Sequence, residues 1–130
     1  MKNLITLFII VISLTCFSQV KISSAKFDGK KILEKSSNEL QEISIWTVTE
    51  DSISCDMYSL SGEHLAKMFW YVNDNFKVRK DKVYDVTNLY GQSYILSFSK
   101  NRNSVTISDY DVTELSIIEG EGLDINSLND

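Results

Sequence analysis

Proline is absent from all 130 residues, histidine occurs once and cysteine only twice. Without proline the chain lacks the commonest device for blunting an exposed strand edge. A zinc centre built from several His and Cys side chains has too few ligands here. A Ser-His-Asp or Cys-His arrangement would have to run through His64, and no Gly-x-Ser-x-Gly elbow accompanies it. Phosphate loops are missing as well, since no glycine-rich turn leads from a strand into a helix. Positive charge runs out early. After Arg102 there is no Lys or Arg, while Asp109, Asp111, Glu114, Glu119, Glu121, Asp124 and Asp130 follow, and the net charge is −5. That balance repels phosphate backbones and argues against nucleic acid as a partner.

What is present begins with an export signal. Met1-Lys2-Asn3 precedes an apolar run from Leu4 to Leu14, and Thr15-Cys16-Phe17-Ser18 closes the segment with compact residues. One amino-terminal charge, an apolar stretch and a small-residue end make the layout of a signal peptide over residues 1–18. The apolar run falls short of the roughly 20 residues a membrane-spanning helix needs, so the mature form is expected to lack a transmembrane segment. Cleavage after Ser18 sends a chain starting at Gln19 to the periplasm or the exterior. A lipid anchor on Cys16 is the alternative, with Thr15 fitting poorly where Gly, Ala or Ser is usual before an acylated cysteine. Cleavage also leaves Cys55 alone, which excludes an internal disulfide and makes packing the source of stability. On an alternating strand Cys55 reads as a small buried hydrophobe.

From about residue 43 the chain falls into short alternating runs divided by turn residues. Ile53, Cys55 and Met57 alternate with Ser54, Asp56 and Tyr58, and Tyr94, Leu96 and Phe98 alternate with Ile95, Ser97 and Ser99. Ser61-Gly62, Asn73-Asp74-Asn75, Asn88 to Gly91 and Lys100 to Asn103 supply the breaks. The basic cluster Lys77 to Lys82 straddles another turn and reads as a solvated hairpin tip. Residues 20–28 form a first strand, whereas 30–43 fit a short helix or a loop equally well. The spacing predicts an all-β domain over 19–118: an antiparallel meander of about eight strands, closing as a small barrel or a sandwich. Residues 119–130 read as an acidic, flexible tail. Tyr84 to Leu89 is echoed by Tyr110 to Leu115, and two copies do not make a repeat protein.

Met68-Phe69-Trp70-Tyr71 sets large side chains on both faces of one strand, with Trp46 and Tyr58 on strands nearby. Trp46, Tyr58, Phe69, Trp70 and Tyr71 are therefore the candidate residues for holding an apolar small molecule or a protein partner. No catalytic residue, metal ligand or cofactor is assigned. An exported, acidic, non-enzymatic β domain is the reading that follows. Its rivals are a small exported hydrolase using paired carboxylates, and a surface protein stabilised by calcium through Glu119, Glu121, Asp124 and Asn126. The pattern resembles lipocalin-type barrels in outline, and an architectural likeness does not by itself assign a function.

Overall fold

The computed structural model describes residues 20–120 and 123–126. The segment expected to be a signal, residues 1–18, together with Gln19, Glu121 and the last four residues, lies outside the described residues. Ten strands follow in chain order: β1 (Val20–Asp28), β2 (Lys31–Leu40), β3 (Glu42–Val48), β4 (Ser52–Ser59), β5 (His64–Val78), β6 (Asp81–Asn88), β7 (Ser93–Phe98), β8 (Ser104–Asp109), β9 (Glu114–Gly120) and β10 (Leu123–Asn126). All belong to one sheet of order β10-β3-β4-β5-β6-β7-β8-β9-β1-β2. Every pairing is antiparallel except that of β10 with β3, which is parallel. Among the described residues no helix is long and apolar enough to cross a membrane.

The fold is all-β, as the alternation implies, but the expectation of about eight strands closing as a barrel or a sandwich is corrected. The sheet has ten strands, and its hydrogen bonding neither closes into a barrel nor divides into two sheets. One added strand is β2, in the stretch that also fitted a helix or a loop. Its residues are almost all exposed, so the burial alternation that marks a strand is missing there. Pairing with β1 defines it instead, from Val20↔Leu40 to Asp28↔Lys31. The other is β10, inside the segment expected to be a flexible tail, of which Glu119 and Gly120 also belong to β9. Leu123 and Ile125 alternate with Asp124 and Asn126, and Ile125 is buried opposite Trp46. Asn73-Asp74-Asn75 does not end a strand: β5 passes through it with a bulge between Val72 and Asp74. A bulge adds an unpaired residue and bends the strand without ending the ladder.

The sheet coils until its two halves share a core. Trp46 on β3 meets Phe98 on β7 edge to face, with ring centroids 5.6 Å apart, although three strands lie between them in the sheet. Right-handed twist and the bulges at Lys26/Phe27, Met57/Tyr58 and Val72/Asp74 account for the curvature. Alternate residues fill the interior: Trp46, Ile53, Cys55, Val86, Leu96, Phe98 and Val105 are each fully enclosed. Burying a side chain of this kind contributes about 1.5–3 kcal/mol. The Trp46 Nε1–H is buried without a hydrogen-bond partner among the described residues. Cys55 takes the structural place expected of it. Its Sγ lies 3.4 Å from Ser44 Oγ, and burial pushes the thiol up to about 11 against a smaller lowering by the Ser44 contact.

Candidate functional site

The interior does not stay closed along its whole length. Toward the β6–β7 and β8–β9 turns the inward side chains part around a cavity of about 450 Å³, within the usual size of small-molecule pockets. Met68, Trp70, Tyr94, Ile107 and Ser116 line it, one or two from each of β5, β7, β8 and β9. Register sets this convergence. Trp70 pairs with Asn88, Leu96 with Ile107, and Ile107 with Ser116, so their side chains follow the pleat onto the inner face. Trp70 forms the floor. It is 6% exposed and stacks on the fully buried Trp46 at 5.9 Å, with an 8° angle between the rings. The cavity is thus continuous with the core.

The rim is apolar as well. Leu89 and Tyr90, in the β6–β7 turn, are 66% and 89% exposed. Asn88 fixes that turn: its Oδ1 accepts from the Tyr90 and Gln92 amides, each at 2.9 Å, and its Nδ2 donates to Gln92 Oε1 at 2.8 Å. Gly91 adopts φ +79°, a conformation that favours glycine. Ser116 has its hydroxyl 3.3 Å from that of Ser24. Local partners therefore engage the polar groups of Asn88 and Ser116, and the aromatic and aliphatic surface faces the opening.

One wall of the cavity is a strand edge. The Val72 amide donates to the Asp51 carbonyl on the β4 side at 2.9 Å. Alternation then turns the main-chain groups of Lys67 to the opposite side. There β6 has already ended, its last partner on β5 being Trp70, so Lys67 has no strand beside it among the described residues. Lys67 and Phe69 border the cavity at this edge, while their side chains, opposite in facing to Met68 and Trp70, lie on the outer face.

The structure separates the five aromatic residues singled out from sequence. Trp70 lines the cavity, Phe69 borders it from the strand edge with its ring on the outer face, and Trp46 lies in the core, stacked against Trp70. Tyr71 is on the outer face against Phe69, their rings 5.0 Å apart and nearly perpendicular. Tyr58 is also outside, against His64 at 5.1 Å. Sequence reasoning missed Tyr94, Ile107, Ser116 and the Leu89-Tyr90 rim. The rim had a signal, because two adjacent large apolar residues inside a turn are exposed by their position.

Other constellations do not assemble. His64 faces Tyr58 across the hairpin, and its Nε2 lies 2.9 Å from Asp56 Oδ1. Cys55 on β4 points into the core, whereas its neighbour Asp56, which His64 contacts, faces outward, so the thiol and the imidazole lie on opposite faces. Among the described residues there is no group of three or more His, Cys, Asp or Glu side chains arranged to hold a metal ion. Asp109 caps the β8–β9 turn, accepting from the Thr113 amide at 2.7 Å, the Glu114 amide at 3.1 Å and the Thr113 hydroxyl. Desolvation tends to raise its pKa, but these hydrogen bonds outweigh it and hold the carboxyl below its ordinary range, the wrong direction for an acid catalyst. No carboxylate lines the cavity. The echoed Tyr-Asp segments are not equivalent either. Tyr84 lies within β6 and Tyr110 in the β8–β9 turn, where its hydroxyl donates to Asp85.

Two other depressions are poorer candidates. One of about 360 Å³ lies over β9, β1 and β2 between serines, and one of about 600 Å³ separates the β7–β8 turn from β10. Neither is lined by an aromatic ring, and neither opens onto the tryptophan stack. The fold and site together define an all-β protein with an apolar, open-ended sheet interior. No protein-family model matches the chain, and neither a curated protein nor a solved structure does.

Proposed function

We propose that this is an exported, non-enzymatic β protein that takes an apolar small molecule into the open end of its coiled sheet. The cavity carries the reading: inward side chains of Met68, Trp70, Tyr94 and Ile107 surround it, and exposed Leu89 and Tyr90 extend its apolar surface to the rim. Apolar surface of this kind is costly to hydrate, and a matching ligand removes it from water. The neutral probe N-phenyl-1-naphthylamine should bind saturably and accept energy from the tryptophans. Placing an aromatic ring on the wall, Ser116→Phe, should sharply weaken that binding. A probe that never saturates, or that binds Ser116→Phe as it binds the unaltered protein, defeats the reading.

A second reading rests on the open β5 edge and on Tyr71, which is 52% exposed beside Phe69. A protein partner adding a strand there would use main-chain hydrogen bonds and the outer aromatic pair. Tyr71→Ser should then abolish partner capture and leave probe binding intact. Export is tested separately, by mass spectrometry of the mature amino terminus. Gln19 as the first residue supports it, and an acylated Cys16 replaces the soluble form with a lipid-anchored one.

A further inference from the structure

Positive charge is concentrated at one point of an acidic molecule. The net charge is −5, yet four of the six residues from Lys77 to Lys82, around the β5–β6 turn, are cations and only Asp81 is a carboxylate. Asp81 Oδ1 accepts from the Lys100 amide at 3.2 Å, which ties the β7–β8 turn to the tip and brings a fifth cation to the same end. None of Lys77, Arg79, Lys80, Lys82 and Lys100 forms an ion pair among the described residues. Lys77 and Lys82 sit directly opposite each other, where like charges repel. Arg79 holds φ +60° in the turn, a conformation that Gly or Asn adopts at less cost. Two local rules of hairpin building are broken here, each time in favour of a cation, and such conflicts gather at functional sites.

The same tip carries apolar surface. Phe76 and Val78, two residues apart and so on one face of β5, are 46% and 49% exposed. β4 pairs with β5 no further than Tyr71, so from residue 73 to 78 the hairpin projects with no strand on that side among the described residues. The other carboxylates of the hairpin, Asp74 and Asp85, oppose each other four residues back from Val78 and Asp81, about 13 Å from the tip.

We propose that this tip docks the protein on an anionic lipid surface, with Phe76 and Val78 in the head-group layer and the five cations among the lipid phosphates. Such a surface answers both features, negative charge for the cations and an apolar boundary for the exposed side chains. It repels the acidic remainder of the chain, so the molecule approaches tip first. Nucleic acid would answer the cations and leave Val78 without a role. The cavity mouth lies at the other end of β6, beside Asn88, so docking goes beyond the ligand reading and does not depend on it.

The chain from Gln19 onward, the form that export would leave, holds all ten strands and lacks the apolar run Leu4 to Leu14, which would bind lipid by itself. Flotation of this chain with vesicles of phosphatidylcholine alone, and of phosphatidylcholine mixed equally with phosphatidylglycerol, measures the preference. Binding to the mixed vesicles should be at least about tenfold tighter and should fade as salt rises. Arg79→Asn relieves the turn, so the melting temperature should not fall, while the lost cation should weaken anionic binding about fivefold. Val78→Ser leaves the charge unchanged and should weaken vesicle binding severalfold. A thermal melt of each variant confirms that it is folded. Equal binding to the two vesicles, or anionic binding that either variant leaves unchanged, overturns the proposal. Tighter binding of a single-stranded oligonucleotide than of the mixed vesicles also overturns it and assigns the cations to nucleic acid.

Discussion

The two halves of the sheet interior are written in the same alternating pattern and end up doing different things. Around Trp46, side chains from β3, β4, β6, β7 and β8 interlock until Ile53, Leu96, Phe98 and Val105 are fully enclosed. One register step further toward the β6–β7 turn, Met68, Tyr94 and Ile107 have the same inward facing but are only partly buried. The difference lies in the far wall. Phe98 has both Trp46 and Tyr84 rings against it at 5.6 Å. Beside Met68 the β6 strand has already stopped, so that side is open. Inward facing is thus necessary for a core position and insufficient for one.

Cutting away the enclosed half should have the largest effect. Phe98→Ala is expected to cost about 3–5 kcal/mol, because two aromatic neighbours lose their contact and cannot collapse into the gap. A urea melt measures this, and a loss below about 1 kcal/mol would erase the distinction between the halves. Cys55 gives a pH-dependent version. Its thiol pKa is raised from 9.0 to about 11 in the folded state, so the folded protein holds the proton more tightly than the unfolded chain does. Below pH 9 both states are protonated and the shift adds nothing to the pH dependence. As pH rises from 9 to 11 only the unfolded state ionises, and stability falls by at most about 2–3 kcal/mol. Cys55→Ala should flatten that part of the profile, and native Cys55 should resist thiol reagents at pH 8.

The open half should answer differently. Ile107→Ala is expected to cost only about 1–2 kcal/mol of stability, since the side chain is only partly buried, while weakening the apolar probe several-fold. If the melt shifts as far as it does for Phe98→Ala, Ile107 belongs to the core and the cavity loses a wall. The smallest effect is a gain. Val112, in the β8–β9 turn at the open end, has φ +52°, a left-handed conformation that a β-branched residue adopts at a cost. Val112→Asn should stabilise by about 0.5–1 kcal/mol in the same melt, because Asn tolerates that region.

Period-two alternation made the middle of the chain legible. Runs such as Ile53-Cys55-Met57 and Tyr94-Leu96-Phe98 point inward as their spacing implies. The pattern failed where a strand is defined by its neighbour rather than by burial. β2 is polar and exposed, and only β1 makes it a strand. β10 is four residues long and needs β3, far back in the chain, to give it a place. The candidate site was half legible for a related reason. Trp70 is visible because a large ring stands out in a sequence. Ile107 and Ser116 look ordinary, and only the stopping point of β6 turns them from core filler into cavity wall.

The β3–β10 pairing also sets a clock. Leu123 lies beside Ser44, 79 residues earlier (123 less 44), and the six strands β4 to β9 are synthesised between them. Until Leu123 to Asn126 arrive, the edge of β3 has no neighbour to cover it, and contacts between residues so far apart are slow to form. For most of its synthesis the chain therefore presents an unfinished strand edge that other nascent copies can join. The four residues of β10 then cover that edge of β3 and replace its long open edge with a shorter one.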